Sequence, residues 1–150
     1  MSDLTIRQAT VNDLPAIVAM LADDPLGATR EDPDDLTPYR VAFTRIDADP
    51  HQHLVVAERA GRVVGTLQLT VTPGLARKGA SRATIEAVRI HADERGNGLG
   101  THLIEWAVSC SRNLGAALVQ LTSDATRTDA HRFYERLGFE RSHYGFKLML

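Results

Sequence analysis
The chain has 150 residues, 43% of them hydrophobic and 24% charged, with a formal net charge of −2. That length suits one compact domain with its own core, so a single domain over 1–150 is expected. The charge balance speaks against a general nucleic-acid binder, whose footprint is basic. No apolar run reaches the length of a membrane span. The first residues lack the basic-then-apolar pattern of a secretory leader, and the single cysteine, Cys110, has no intramolecular disulfide partner. A cytoplasmic protein with neither nucleic-acid nor membrane partners is the expectation.

The chain begins with a strand-like "LTIRQAT". Thr10 and Asp13 fit a capping box, and Leu14, Ile17, Val18 and Leu21 follow at helical spacing. An acidic loop, 22–38, leads into a second helix through "PYRVAFTRI". "HLVVAERAGRVVGTLQLTVTP" reads as a hairpin turning at Ala60-Gly61, with Val63, Gly65, Leu67, Leu69 and Val71 in period-two alternation. The basic loop "GLARKGASRA" and a strand through "TIEAVRIHA" come next. Leu99, Leu103, Trp106, Ala107, Cys110 and Leu114 then form a helical stripe that Gly115 is placed to end. "AALVQLT" reads as a buried strand, and "TRTDAHRFYERLG" as a helix with Thr126 and Asp129 as its capping box. A final pair of strands, "FERSH" and "YGFKLML", is expected to close a mixed α/β sheet.

Between the strand and the stripe lies "RGNGLG", with Gly96, Gly98 and Gly100 in five positions. A glycine-rich turn between a strand and a helix aims backbone amides at one point, where the helix dipole also favours an anion. The glycines alone leave a plain turn and a phosphate site equally open. Spacing excludes two familiar phosphate loops: no Gly-Lys-Ser/Thr follows, and the third glycine falls at 100 rather than 101.

Arg95-Gly96-x-Gly98-x-Gly100 resembles the acyl-CoA-binding motif of the GCN5-related N-acetyltransferases (GNAT). "DAHRFYERLGF" (129–139) is similar to the family's second motif, and the two stand in the family's order. The resemblance implies a single-domain α/β GNAT fold. In that fold a mixed, mostly antiparallel central sheet splays between its middle strands and is flanked by about four helices. It implies an acetyl-CoA-dependent N-acetyltransferase that moves the acetyl group directly to a primary amine, a small molecule in preference to a protein. A non-catalytic acyl-CoA sensor and a protein N-acetyltransferase are the alternatives.

Carried onto this sequence, the resemblance places the CoA pyrophosphate on the backbone of Arg95, Gly96, Asn97, Gly98, Leu99, Gly100 and Thr101. The pantetheine arm lies along Val88, Arg89 and Ile90 as an added strand, and the Val88 amide faces the thioester oxygen. Phe133 and Arg127 belong to the same binding side; many relatives have asparagine where Arg127 stands. Glu86 is the expected general base and Tyr134 the expected general acid. Family members commonly dimerise through late strands, so a homodimer is an expectation.

His51 and His53 bring no further ligands at metal-binding spacing, so no metal is expected. His131 and Glu135 form an i,i+4 surface pair. Cys110 and Trp106 belong to the apolar stripe. Asp23, Asp24, Glu31, Asp32, Asp34 and Asp35 either cap and solvate the first loop or form an acidic rim for a cationic amine; the first reading is favoured. The C-terminal stretch is also similar to that of aminoalkylphosphonate N-acetyltransferases. An anionic acceptor group would then need a basic partner such as Arg77, Lys78 or Arg141.

Overall fold
The computed structural model describes residues 3–150. Five strands form one sheet in chain order: β1 (Leu4–Gln8), β2 (Gln52–Arg59), β3 (Arg62–Thr72), β4 (Ser81–Ile90) and β5 (Ala116–Leu121). The first three neighbouring pairs are antiparallel, and β4 pairs with β5 in parallel. The β2–β3 hairpin turns at Ala60 and Gly61, both at positive φ (51° and 76°), as a tight hairpin of this twist requires.

Helices cover both faces of the sheet. On one lie α1 (Leu14–Ala22) and α2 (Thr37–Ala48). Val56, Ala9 and Ile17 form a buried cluster there, with Leu21, Phe43 and Leu54 packed against it. The other face carries α3 (Leu99–Asn113) and α4 (Thr128–Arg136). Leu99, Leu103, Ile104 and Ala107 of α3 are buried against Leu67, Leu69, Ala83 and Ile85 of the sheet. Alternation along β2 explains the partition, since Leu54 and Val56 point one way and Val55 and Ala57 the other. At the entry to α1, the Asp13 carboxylate accepts the Thr10 amide (2.7 Å) and the two terminal guanidinium nitrogens of Arg7 (2.8 and 2.9 Å). The expected Thr10–Asp13 start is therefore present, as a 3-10 turn over Val11–Asp13.

Four expectations are corrected. The closing strands do not form: residues 139–150 have no regular structure, and Tyr144, Phe146, Leu148, Met149 and Leu150 stand fully exposed. Alternation specifies an apolar face but not a partner for the backbone ladder. β5 is consequently an edge strand with no fully buried residue, not the buried strand expected. The α3 stripe is rotated toward Ile104 and Ser111, leaving Trp106 and Cys110 half-buried and Leu114 exposed. Before α4, Asp124 accepts the Thr126 amide (2.9 Å) and hydroxyl (2.6 Å), replacing the expected Thr126–Asp129 cap.

Candidate active site
The site begins with a bulge. Thr66 of β3 stands opposite Arg89 while Gln68 stands opposite Glu86, so Ala87 and Val88 together face the single Leu67. Ala87 takes the left-handed conformation (φ 55°) that this extra residue requires. Pairing of β4 with β5 stops just before, at Ile85 and Leu121. Beyond it the His91 amide donates to the Val64 carbonyl (2.8 Å), which turns Arg89 toward β3 and leaves the backbone of Val88 and Ile90 facing the side that β5 has vacated. Pairing across the sheet is thus lost beside the second half of β4, where β5 has ended, and not between the middle strands as expected. The gap falls between the last two strands of the sheet, because no later strand pairs beyond β5.

The glycine loop closes one end of this gap. Gly98 caps α3 at φ 80°, and a Cβ there or at Gly96 would meet nothing within 4 Å, so the backbone faces open space. The first helical hydrogen bond runs from the His102 amide to the Gly98 carbonyl (3.1 Å). Helix geometry thus leaves the amides of Leu99, Gly100 and Thr101 without partners inside the helix. Gly100 answers a packing demand instead: a Cβ would lie 3.3 Å from Phe133 Cζ and 4.0 Å from Ile90 Cγ1. The Leu99 side chain is 1% exposed and belongs to the core, so only its amide is available to a ligand. Asn97 and Arg95 are exposed, and the Arg95 guanidinium sits 3.5 Å from the Asp23 carboxylate. A pyrophosphate fits this loop, and an extended arm fits the vacated strand position.

The two expected proton carriers flank the bulge from different faces. Glu86, opposite Gln68, projects on the α1–α2 side, is exposed and makes no hydrogen bond among the described residues. Tyr134 packs against the other core, edge-on to Phe133 (5.1 Å between ring centres) and to Phe139 (6.0 Å). Burial pushes its phenol above the usual tyrosine value, against the pull of the Arg127 and Arg89 charges, so it holds its proton at neutral pH. Arg89 donates from Nη1 to the carbonyl of Val88 (2.9 Å), and its Nε lies 3.0 Å from Asp24 Oδ2 in an ion pair. Burial opposes ionisation of Asp24, but the Gly27 amide and the Arg89 charge outweigh it and hold the carboxyl below its usual range.

On the α1–α2 side the bulge opens into a cavity of about 190 Å³. Ile17, Val18 and Leu21 of α1 and Tyr39, Phe43 and Ile46 of α2 form much of its wall, and Ala87 reaches its edge. The α2 residues of this wall were not singled out from the sequence, although Tyr39, Phe43 and Ile46 recur at i, i+4 and i+7. Most of the acidic loop is spent on local structure, as favoured, while Asp23 and Asp24 also reach Arg95 and Arg89. Asp24 accepts the Gly27 amide (2.6 Å), Asp32 that of Asp34 (3.0 Å), Asp35 that of Thr37 (3.1 Å), and Glu31 the Tyr39 hydroxyl (2.8 Å). Arg77 and Lys78 occupy an exposed left-handed turn at the opposite end of β4, and Arg141 is exposed. None of the three lines the cavity. Burial raises the Cys110 thiol, which makes it a poor nucleophile. No group of three or more His, Cys, Asp or Glu that could hold a metal occurs among the described residues, and no helix there is long and apolar enough to cross a membrane.

Comparison with known proteins agrees with this geometry. The Acetyltransferase (GNAT) family model matches residues 15–139. The aminoalkylphosphonate N-acetyltransferase of Salmonella typhimurium is 30% identical over 94% of this chain and 88% of its own. An L-methionine sulfoximine/L-methionine sulfone acetyltransferase of Pseudomonas aeruginosa is 31% identical over 92% and 81%. A solved structure described as a transcriptional regulator from Bacillus halodurans superimposes with a TM-score of 0.95 at 46% identity, covering 98% of this chain and 99% of the other. With the family match spanning both motifs and the strands between them, the chain belongs to the GNAT family and is an acetyltransferase.

Proposed function
We propose that this acetyltransferase uses acetyl-CoA and passes the acetyl group directly to the primary amine of a small molecule while both are bound. The observation that carries this reading is the bulge at Ala87–Val88. It directs the Val88 backbone toward the vacated strand position, and Glu86, just before it and opposite Gln68, projects on the α1–α2 side. A cavity of about 190 Å³ is large enough for a small acceptor, and the Salmonella and Pseudomonas relatives are named for small-molecule acceptors.

A primary amine near pKa 10 is mostly protonated at neutral pH. Glu86 takes that proton, directly or through one water, and frees the nitrogen lone pair for attack. The Val88 amide donates to the carbonyl oxygen as charge builds on it, with Arg89 steadying the Val88 peptide through its carbonyl. Tyr134 gives its proton to the departing sulfur. Acetyl-CoA supplies the activated acyl group. Arg95 to Thr101 hold its pyrophosphate, and Val88 to Ile90 align its arm. Arg127, whose charge acts on Tyr134 and Asp24, supplies a forked cation toward the phosphates. The single half-buried cysteine suits a cytoplasmic setting.

Incubation with acetyl-CoA and a panel of amines, following thiol release, tests the reading. Intersecting initial-velocity lines are expected for direct transfer; parallel lines would show an acyl-enzyme instead, and no turnover with any amine would overturn the activity. A homodimer is also proposed, supported by the exposed apolar residues Tyr144, Phe146, Leu148, Met149 and Leu150 and by β5 lying at the edge of the sheet. Light scattering of the full chain should give twice the monomer mass, and a chain ending at His143 should run as a monomer.

A further inference from the structure
Resting on that reading, we propose that the acceptor is a primary amine attached to a compact apolar group, a phenyl-sized ring or a branched alkyl chain, with no phosphate or phosphonate. The cavity beside Glu86 is bounded chiefly by carbon: Leu14, Ile17, Val18 and Leu21 on α1, and Phe43 and Ile46 on α2. Of its polar side chains, Thr66 and Tyr39 are fully engaged and Gln68 is engaged through its amide nitrogen, which leaves the Gln68 Oε1 as an acceptor and no cation on the wall. The Thr66 hydroxyl donates to the Val55 carbonyl (2.8 Å), and the Gln68 amide donates to Gln52 Oε1 (2.8 Å). The Tyr39 hydroxyl donates to Glu31 (2.8 Å) and accepts the Asp32 amide (2.9 Å).

No lysine or arginine lines the cavity, and Arg89 on the same sheet face is turned to Asp24. An anionic group placed here would lose its hydration and meet no cation, a heavy penalty. An apolar group loses little. Apolar cavities of about 150 Å³ stay dry and accept a benzene ring, so about 190 Å³ takes a ring or a branched chain with room for the carbon bearing the amine. Ala87 borders the cavity, and Glu86 precedes it. The tail therefore sits between α1 and α2 while the nitrogen stays at the bulge, near its base. The Salmonella and Pseudomonas relatives are named for polar acceptors, so the inference separates this chain from them by pocket chemistry.

The test compares kcat/KM for phenethylamine, isoamylamine and the linear amines from propyl to hexyl with that for 2-aminoethylphosphonate and glucosamine 6-phosphate. Phenethylamine is expected to exceed both anionic amines by about a hundredfold, and KM should fall about fourfold per added methylene until the cavity fills. Leu21→Arg, at a half-buried wall position, should cost phenethylamine at least about tenfold and improve 2-aminoethylphosphonate, with an unchanged circular dichroism melt showing that the variant folds. Preference for the anionic amines would overturn the inference and leave the acetyl transfer standing. Calorimetric titration of phenethylamine and 2-aminoethylphosphonate into the CoA-saturated protein decides the matter even without turnover. Selective binding of phenethylamine supports the inference, whereas equal binding, or none, overturns it.

Discussion
The glycine loop offers a ligand backbone amides and empty space, while the cavity under α1 and α2 offers side-chain carbon. In the loop only Gly96, Gly98 and Gly100 are specified by type, because positive φ at the first two and the approach of Phe133 at the third favour glycine. The cavity wall is specified by volume and polarity, and several apolar residues would serve at each position. A shared motif therefore conveys how the common donor is held and conveys nothing about the acceptor. If the division holds, substitutions at the loop should move the KM for acetyl-CoA alone, and substitutions on the α1–α2 side should move the kinetics of the amine.

Glu86 stands on the acceptor side of this division, and its loss should have the largest effect. Glu86→Gln is expected to lower kcat/KM for the amine about a hundredfold at neutral pH, with the KM for acetyl-CoA unchanged. The variant must wait for amine that has already lost its proton, so its rate should climb about tenfold per pH unit toward the amine's own pKa. A deficit that stays constant with pH would remove Glu86 from proton transfer. Tyr134 touches the donor side. Tyr134→Phe should lower kcat about ten- to a hundredfold with little change in either KM. Because burial raises the phenol, wild-type activity should persist through pH values near 10 and fall only beyond them; the Phe variant should lack that limb.

Gly100→Val sharpens the comparison on the loop. Its side chain would press on Phe133 from 3.3 Å, shifting the start of α3 against α4. An increase of about tenfold in the KM for acetyl-CoA is expected, with the amine's KM changing less than twofold. An equal rise in both would show that loop and cavity are coupled, and that the division is wrong.

The sequence made the loop legible because its demands are local: three glycines, a strand before them and a helix after. The Phe-Tyr helix was legible for the same reason, since Phe133 and Tyr134 fix their own faces by spacing. Contacts that join distant segments were not. Asp23 reaches Arg95 across 72 residues, and Asp24 reaches Arg89; no local pattern pairs one acid of a loop with one arginine of a strand. The stripe Tyr39, Phe43 and Ile46 was readable as apolar but not as a wall, because α2 has no fully buried residue and its role depends on α1 opposite. The last strands failed in the other direction. "YGFKLML" alternates as a strand should, yet nothing within it names the edge it would join.

The Asp24–Arg89 pair is where the two halves meet, since Arg89 grips the Val88 carbonyl while Asp24 anchors the loop between α1 and α2. Asp24→Asn isolates the charge: the amide oxygen still accepts the Gly27 amide, but nothing neutralises a guanidinium whose Nε is buried without an aligned hydrogen bond. Partial exposure of both side chains limits the loss, and about 1 kcal/mol of unfolding free energy at neutral pH is expected. The amine's KM should rise about threefold through a loosened Val88 peptide, the smallest kinetic effect of the set. The pH dependence follows from the depressed carboxyl. A carboxylate held below its unfolded value, about 4, contributes its full stabilisation above that pH and loses it as pH falls through the folded value. Urea melts should therefore separate wild type from Asp24→Asn at pH 7 and bring the two together as pH falls through the folded value. A difference that persists in acid would assign the loss to the loop's packing rather than to its charge.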